Sequence, residues 1–445
     1  MNQQQKNSLF LPLINEGFTT LKIFQNKINN TINVCLLKEW DEDIKWSNYN
    51  NIFTVESLLT EDMKVANNKV SREIFAKYKL TSYLEKVIDL IQKGRHFGIE
   101  CFIEKKLGIR FINNIHTNVL GINNRKHAIR SGGIRRFDPE IDELEIIQDG
   151  LNLSRAMSYK NFAAELNYGG SKIIVQSEKI KLEDEERKGF IGYAIDRTRS
   201  FTGPDMGFSP EFADALNQKY TLNIAGGTKI LGPSGTPAAY GVFLAVKEAV
   251  KFKMNLDSLN GIKIAIQGLG CLGFSLAELF LKENAKLFVA DISNEKSQRL
   301  IQKYPNHDIS VVDSENILSI ETDIFSPCAI GGILTRQNIP DLKFKIILGG
   351  ANNQLKASSV QEELDLAQLL FQRDILFQVD WCHNVGGVIC GCEEYENLHL
   401  ADINKVYQKT EKICSIKMRE NLEKSQKMNI SLTHLAYQEA EKAIY

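Results

Sequence analysis

Apolar positions along the chain fall into two regimes. From residue 236 to about 380, short apolar runs at 262–266, 287–290, 309–312, 324–325, 346–348 and 377–379 alternate with segments of helical character. Strands alternating with helices build a parallel sheet with helices on both faces. Upstream the pattern differs. Residues 98–120 are strand-like, with Ile99, Cys101, Ile103, Phe111, Ile112 and Ile115. At 143–159, Leu144, Ile147, Leu151, Leu153 and Met157 recur at roughly helical spacing. Gly169-Gly170-Ser171-Lys172 then leads into a short strand at 173–175. The first 95 residues mix brief apolar stretches with Asn and Lys, helical only near 87–91, and carry no motif. The last 45 residues are rich in Lys and Glu. Val406, Tyr407, Ile413, Leu432, Leu435 and Ala436 mark amphipathic helices there, whose apolar stripes are core. The expected class is α/β with two domains, a mixed sheet in one and a Rossmann-like, doubly wound sheet in the other, with a cleft between them.

Composition narrows the function classes. Of 445 residues, 43% are hydrophobic and 24% charged, as in a globular protein with a sizeable core. A formal net charge of -1 gives nothing global to draw nucleic acid or an anionic membrane. No apolar run approaches the ~20 residues that span a bilayer. Residues 1–6, Met-Asn-Gln-Gln-Gln-Lys, lack a signal peptide's apolar core, and no arginine precedes Arg72. Eight cysteines in so long a chain are too sparse for a disulfide framework and read as reduced thiols in a cytoplasmic protein.

The run at 262–266 enters Gly268-Leu269-Gly270-Cys271-Leu272-Gly273, and Leu276, Ala277, Leu279 and Phe280 supply the buried face of a helix after it. Glycines between a strand and a helix fit a dinucleotide. Gly268 permits the tight turn, Gly270 lets backbone approach a pyrophosphate, and Gly273 packs the helix on the strand, whose N-terminus faces the anion. The backbone of Cys271 and Leu272 faces the same ligand. The next strand ends at Asp291, placed to accept both hydroxyls of an adenine ribose and to repel a 2′-phosphate, which favours NAD over NADP.

The chemistry must come from elsewhere. Lys160, in Tyr159-Lys160-Asn161, and Lys172 flank a glycine turn, and Asp205 follows in Gly203-Pro204-Asp205-Met206-Gly207. Singly, each is most simply a solvated or turn residue. Together, the two amines suit one ligand. One ammonium holds a carboxylate and depresses the pKa of the other, which then serves as a general base.

These segments resemble the glutamate/leucine/phenylalanine/valine dehydrogenase family, and its leucine and phenylalanine members more than its glutamate ones. The resemblance runs from about residue 98 to 440. It takes in Gly132-Gly133-Ile134-Arg135, the lysine segments, Gly203–Gly207, the glycine loop, Pro327-Cys328-Ala329-Ile330-Gly331, Gly350-Ala351-Asn352-Asn353-Gln354-Leu355 and Asn384-Val385-Gly386-Gly387-Val388. It implies a substrate-binding and catalytic domain over 96–235, an NAD-binding domain over 236–380, and C-terminal helices over 381–445 that return to the substrate domain. Residues 1–95 are an extension of unknown role. Lys160 and Asn384 would hold the substrate carboxylate, Lys172 would activate water, and Asp205 would exchange a proton with the substrate nitrogen. Cys328, Ala329 and Asn352 would line the cofactor site. The implied reaction is NAD-dependent oxidative deamination of an L-amino acid to its 2-oxo acid and ammonia, and the reverse. The domains would close over the substrate, and the protein would be a homo-oligomer.

Three positions depart from the family pattern: Glu165 and Ser171 stand where it has glycine, and Ala238 where it has a threonine near the nicotinamide. They motivate an alternative, a catalytically impaired homologue that binds NAD or an amino acid as a sensor or partner protein. A second alternative is a biosynthetic dehydrogenase acting on a specialised 2-oxo acid. Ser131 replaces the lysine with which glutamate enzymes grip a side-chain carboxylate. Gly203 and Gly391 leave room in the pocket, with Gly132, Gly133 and Val388 beside it, so the expected substrate is bulky and apolar or aromatic. Cys382, His383, Cys390 and Cys392 lack the spacing of a zinc site, and no metal is expected.

Overall fold

The computed structural model describes residues 7–26, 29–50, 64–118 and 128–445. It divides into two compact units. The first holds 1–161, 167–232 and 394–401, and the second 162–166, 233–393 and 402–445.

Among the described residues, the first unit is built on nine strands: β1 (Thr20–Asn26), β2 (Thr31–Lys38), β3 (Lys64–Ala66), β4 (Gly98–Glu104), β5 (Ile109–Ile115), β6 (Arg130–Ser131), β7 (Ile134–Phe137), β8 (Gly169–Gln176) and β9 (Ser200–Phe201). Their order is β3-β2-β1-β4-β5-β8-β6-β9, with β7 also paired to β8. The sheet is mixed, as expected: β1 to β5 and β5 to β8 run antiparallel, while β6 and β7 run parallel to β8. Side chains alternate between two cores. Cys101, Ile103, Ile112 and Ile174 pack with Ile146, Ile147 and Leu151 of the helix Glu143–Ala163, while Phe102, Phe111, Ile173 and Val175 pack with Phe190, Tyr193 and Leu216. Both faces are covered, so β4 and β8 are buried along their whole length, polar Glu100, Glu104 and Lys172 included.

The described part of the first 95 residues is built into this unit. Thr20 to Phe24 of β1 pair with Phe102 to Gly98 of β4. Ser8 Oγ, the Leu9 amide and the Tyr83 hydroxyl all donate to the buried carboxylate of Glu143, which opens the long helix. The alternation of buried Ile32, Val34 and Leu36 with exposed Thr31 and Asn33 is the strand signal in this stretch.

In the second unit six strands, β10 (Lys263–Gln267), β11 (Lys286–Ala290), β12 (Ile309–Val311), β13 (Ile324–Pro327), β14 (Ile346–Ile347) and β15 (Leu376–Phe377), form an all-parallel sheet. The order β12-β11-β10-β13-β14-β15 is that of a doubly wound dinucleotide-binding sheet. Ile264, Ile266, Leu287 and Val289 face one core, and Ala265, Phe325 and Ile347 the other. The C-terminal helices sit differently from the sequence expectation. Only 394–401 group with the first unit, because Met418, Leu422 and Leu432 bury their apolar stripe in the core beneath β10 and β11.

Candidate active site

The long helix and β8 meet at glycine. A Cβ on Gly170 would lie 2.3 Å from Ser158 Oγ and 2.4 Å from the Ser154 carbonyl oxygen. One on Gly150 would lie 2.1 Å from Asn114 Nδ2. Only glycine permits so close an approach. The junction is then tied by hydrogen bonds: Ser158 Oγ lies 2.8 Å from His116 Nδ1 and 2.7 Å from Thr117 Oγ1, and Thr117 Oγ1 accepts from the Gly170 amide. Lys160 and Lys172 each stand two residues beyond this contact, Lys160 in the helix's last turn and Lys172 on β8. Lys172 shares a sheet face with Ile174, the face that the helix covers.

Lys172 is buried, and its ammonium is ion-paired with Asp205. Asp205 is set by backbone. Its amide donates to the Ile134 carbonyl, the Ile134 amide donates to the Gly203 carbonyl, and Oδ1 accepts from the Met206 amide at 2.8 Å. Gly133 covers the pair: a Cβ there would lie 2.7 Å from Lys172 Nζ and 3.5 Å from Asp205 Cβ. Gly132 is pressed on β8, its would-be Cβ 2.0 Å from the Ser171 carbonyl oxygen. A Cβ on Gly203 would meet only the Ala225 carbonyl oxygen, at 3.3 Å. Ser131 spends its hydroxyl on Asn161 Oδ1, 2.9 Å away. Burial would raise the Asp205 pKa, but the Lys172 ammonium and the Arg135 guanidinium overcome it and hold the carboxyl well below its ordinary range.

Sequence reading named Arg135 only as part of a motif and passed over Asp149. In the structure Arg135 bridges two carboxylates, with Nη1 2.9 Å from Asp149 Oδ2 and Nη2 3.2 Å from Asp205 Oδ2. The available signal was helical phase. Asp149 precedes Lys160 by about three turns and so lies on the same face of the helix.

The second unit holds the glycine loop. Gly268 has φ 94°, and its would-be Cβ would lie 2.8 Å from Ala329 Cβ. A Cβ on Gly273 would lie 2.0 Å from the Gly268 carbonyl oxygen. Gly270 is different: a Cβ there meets no protein atom within 4 Å, so its identity is not explained by packing of the chain. The helix Cys271–Lys282 starts immediately after, its leading amides free for an anion. The Cys328 amide donates to the Gln267 carbonyl, placing the Pro327–Ala329 turn beside the loop. These residues fit a dinucleotide. Asp291 also braces the loop, its Oδ2 accepting from the Leu269 amide at 2.7 Å and its Oδ1 from the Ser293 amide at 2.8 Å. Burial opposes its ionisation, but these amides and Lys296, 3.4 Å away, keep its pKa low.

Asn384 donates to the Gly350 carbonyl at 2.9 Å, next to exposed Asn352, and Val388 and Gly391 lie half-buried on the helix Gly386–Asn397. The three departures are each accommodated. Glu165 takes φ 51°, a left-handed conformation suited to glycine, and its carboxylate is held by Lys412 and Lys417, each at 2.7 Å. Ser171 is buried in β8, and Ala238 in the helix Gly235–Met254.

Comparison with known proteins accords with this geometry. The model of the glutamate/leucine/phenylalanine/valine dehydrogenase family matches residues 287–445, and that of its dimerisation domain residues 114–221. A leucine dehydrogenase of Thermoactinomyces intermedius is 32% identical over 76% of this chain and 90% of its own. A phenylalanine dehydrogenase of Lysinibacillus sphaericus is 35% identical over 73% of this chain and 83% of its own. The crystal structure of the L-tryptophan dehydrogenase from Nostoc punctiforme superposes with a TM-score of 0.63 at 28% identity, over 80% of this chain and 98% of that one. Among the described residues, no helix is long and apolar enough to cross a membrane. The chain belongs to the glutamate/leucine/phenylalanine/valine dehydrogenase family and is an oxidoreductase of its amino-acid dehydrogenase class.

Proposed function

We propose that the chain catalyses the NAD-dependent oxidative deamination of an L-amino acid with a bulky apolar or aromatic side chain, and the reverse reductive amination. The observation that carries this reading is the ion pair of buried Lys172 with Asp205 beneath Gly133. Bound NAD supplies the hydride acceptor, held by the backbone of Gly268–Gly273, by Asp291 and by the Cys328–Ala329 turn, with Asn352 alongside. Lys160 and Asn384 bind the substrate carboxylate. An arriving substrate ammonium displaces Lys172 from Asp205 and gives Asp205 a proton, leaving a neutral amine on the substrate, while Lys172 sheds its own proton to solvent water and becomes a base. Once hydride has left the α-carbon, Lys172 takes a proton from the attacking water. Asp205 passes a proton to the departing nitrogen. Ser131, already committed to Asn161, offers no cation to a second substrate carboxylate. The glycines at 203 and 391, with Val388, leave space for a large side chain. The names of the leucine, phenylalanine and L-tryptophan relatives support the same substrate class. The dimerisation-domain match supports a homo-oligomer.

The test is a panel of L-amino acids assayed for NADH and NADPH formation, with Lys172→Ala as control. We expect an apolar or aromatic substrate to lead, NADH to dominate, and the variant to lose turnover while retaining NAD binding. Glutamate as the best substrate would refute the pocket assignment. Silence on every amino acid would favour a sensor that has lost catalysis.

A further inference from the structure

The catalytic cycle proposed above makes a demand that the Lys172–Asp205 pair alone does not meet. When Lys172 sheds its proton, Asp205, half-buried with its side chain 32% exposed, loses its nearest cation. Burial then drives the carboxyl towards its neutral form, which no longer accepts a proton from the substrate nitrogen. Arg135 supplies a second cation to the same carboxylate oxygen, with Nε at 3.3 Å and Nη2 at 3.2 Å from Asp205 Oδ2. A guanidinium does not deprotonate in proteins, so its charge persists through the cycle. Its far nitrogen is held by Asp149 at 2.9 Å, and its side chain is only 16% exposed. Three elements thus face Asp205 with charge: β8 through Lys172, β7 through Arg135 and the long helix through Asp149.

We infer that Arg135 is a positioning residue acting through Asp205: braced by Asp149, it keeps the Asp205 carboxylate ionised and aimed while Lys172 passes through its neutral form. This rests on the roles of Lys172 and Asp205 proposed above. It is tested by the pH dependence of kcat, whose acid limb reports an essential base of the substrate complex, in which Lys172 no longer neutralises Asp205. Arg135→Gln is expected to move the acid limb up by about one pH unit or more, since removing a cation within ~4–6 Å of a carboxylate raises its pKa that much. Arg135→Lys keeps the charge and loses the fork, so the limb should return most of the way while kcat stays depressed. Asp149→Asn removes both an acid that opposes Asp205 ionisation and the brace of the Arg135 fork, so the limb should move little while kcat falls. An acid limb unmoved in a natively melting Arg135→Gln protein would overturn the inference. If that variant does not fold, Arg135→Lys decides, and an undiminished kcat there overturns it. Asp205→Asn and Lys172→Ala separate the two levels. Turnover surviving in either sinks the proposed roles, whereas turnover lost in both, with Arg135 variants unshifted, sinks only this inference.

Discussion

At the scale of single residues, the site is shaped as much by missing side chains as by present ones. Gly133 carries no positive φ, so alanine is allowed there by the backbone, and the nearest atom to its new Cβ is the mobile end of Lys172. Gly133→Ala should therefore fold with little change in melting temperature yet displace the amine. A misplacement of about 1 Å costs on the order of 100-fold in rate. Steady-state kinetics beside a thermal melt check this, and an unchanged kcat would mean that the amine does not work from its observed place. The same residues show how far sequence reading reaches. Lys172 and Asp205 stood out because glycine turns flank them, and they are in contact. Arg135 and Asp149 did not, because a bridge between a strand and a helix leaves no spacing in the chain. Lys160 stood out for the same reason as Lys172, and the structure adds its place in the last turn of the helix above β8.

At the scale of elements, the long helix is the part on which the first unit depends. It accepts the N-terminal segment at Glu143, crosses the sheet at Gly150 and Gly170, and carries Lys160 in its last turn. His96 is buried against it, Nε2 lying 2.8 Å from the Leu151 carbonyl oxygen. Burial pushes the His96 pKa down to about 4 from its ordinary 6.5. The unfolded chain therefore binds a proton that the folded chain refuses between those values. The contribution of the neutral ring is fully present above pH 6.5 and declines as pH falls from 6.5 towards about 4. By pH 5 this linkage amounts to about 2 kcal/mol. Denaturant melts at pH 7.5 and pH 5 should show that much more acid destabilisation in the natural protein than in His96→Gln. Equal losses in the two proteins would mean that the ring is charged in the fold. Periodicity gave this helix its position but not its reach, which extends to Ala163, since its final turn is held by β8 and not by an apolar stripe of its own. The strands β1 and β2 were passed over in the sequence, although β2 alternates buried and exposed positions, and no motif marks them. Their place in the sheet rests on pairing with β4, a long-range fact.

At the scale of the molecule, the two units divide the work. The first holds the charged cluster around Asp205, and the second the parallel sheet and glycine loop. Each has cores of its own, so ligand effects on stability report on the unit that binds. The alternation of strands and helices made the second unit readable, because parallel strands demand crossover helices. The packing of the C-terminal helices was not, because an amphipathic stripe does not name its partner. The proposed choice of NAD rests on Asp291. Its carboxylate sits where an adenine ribose would lie in such a fold, and its two backbone partners fix it as an anion. Lys296 at 3.4 Å offsets part of that charge, so the preference for NAD over NADP should be a ratio and not an exclusion. A ligand that binds only the folded state at a hundred times its Kd stabilises it by about 2.7 kcal/mol. NAD at that concentration should raise the unfolding free energy by this amount, and NADP at equal concentration by less. Lys296→Glu should widen the gap, because a second carboxylate then faces a 2′-phosphate. Equal stabilisation by both cofactors would remove Asp291 as the selector and leave it as a brace of the glycine loop.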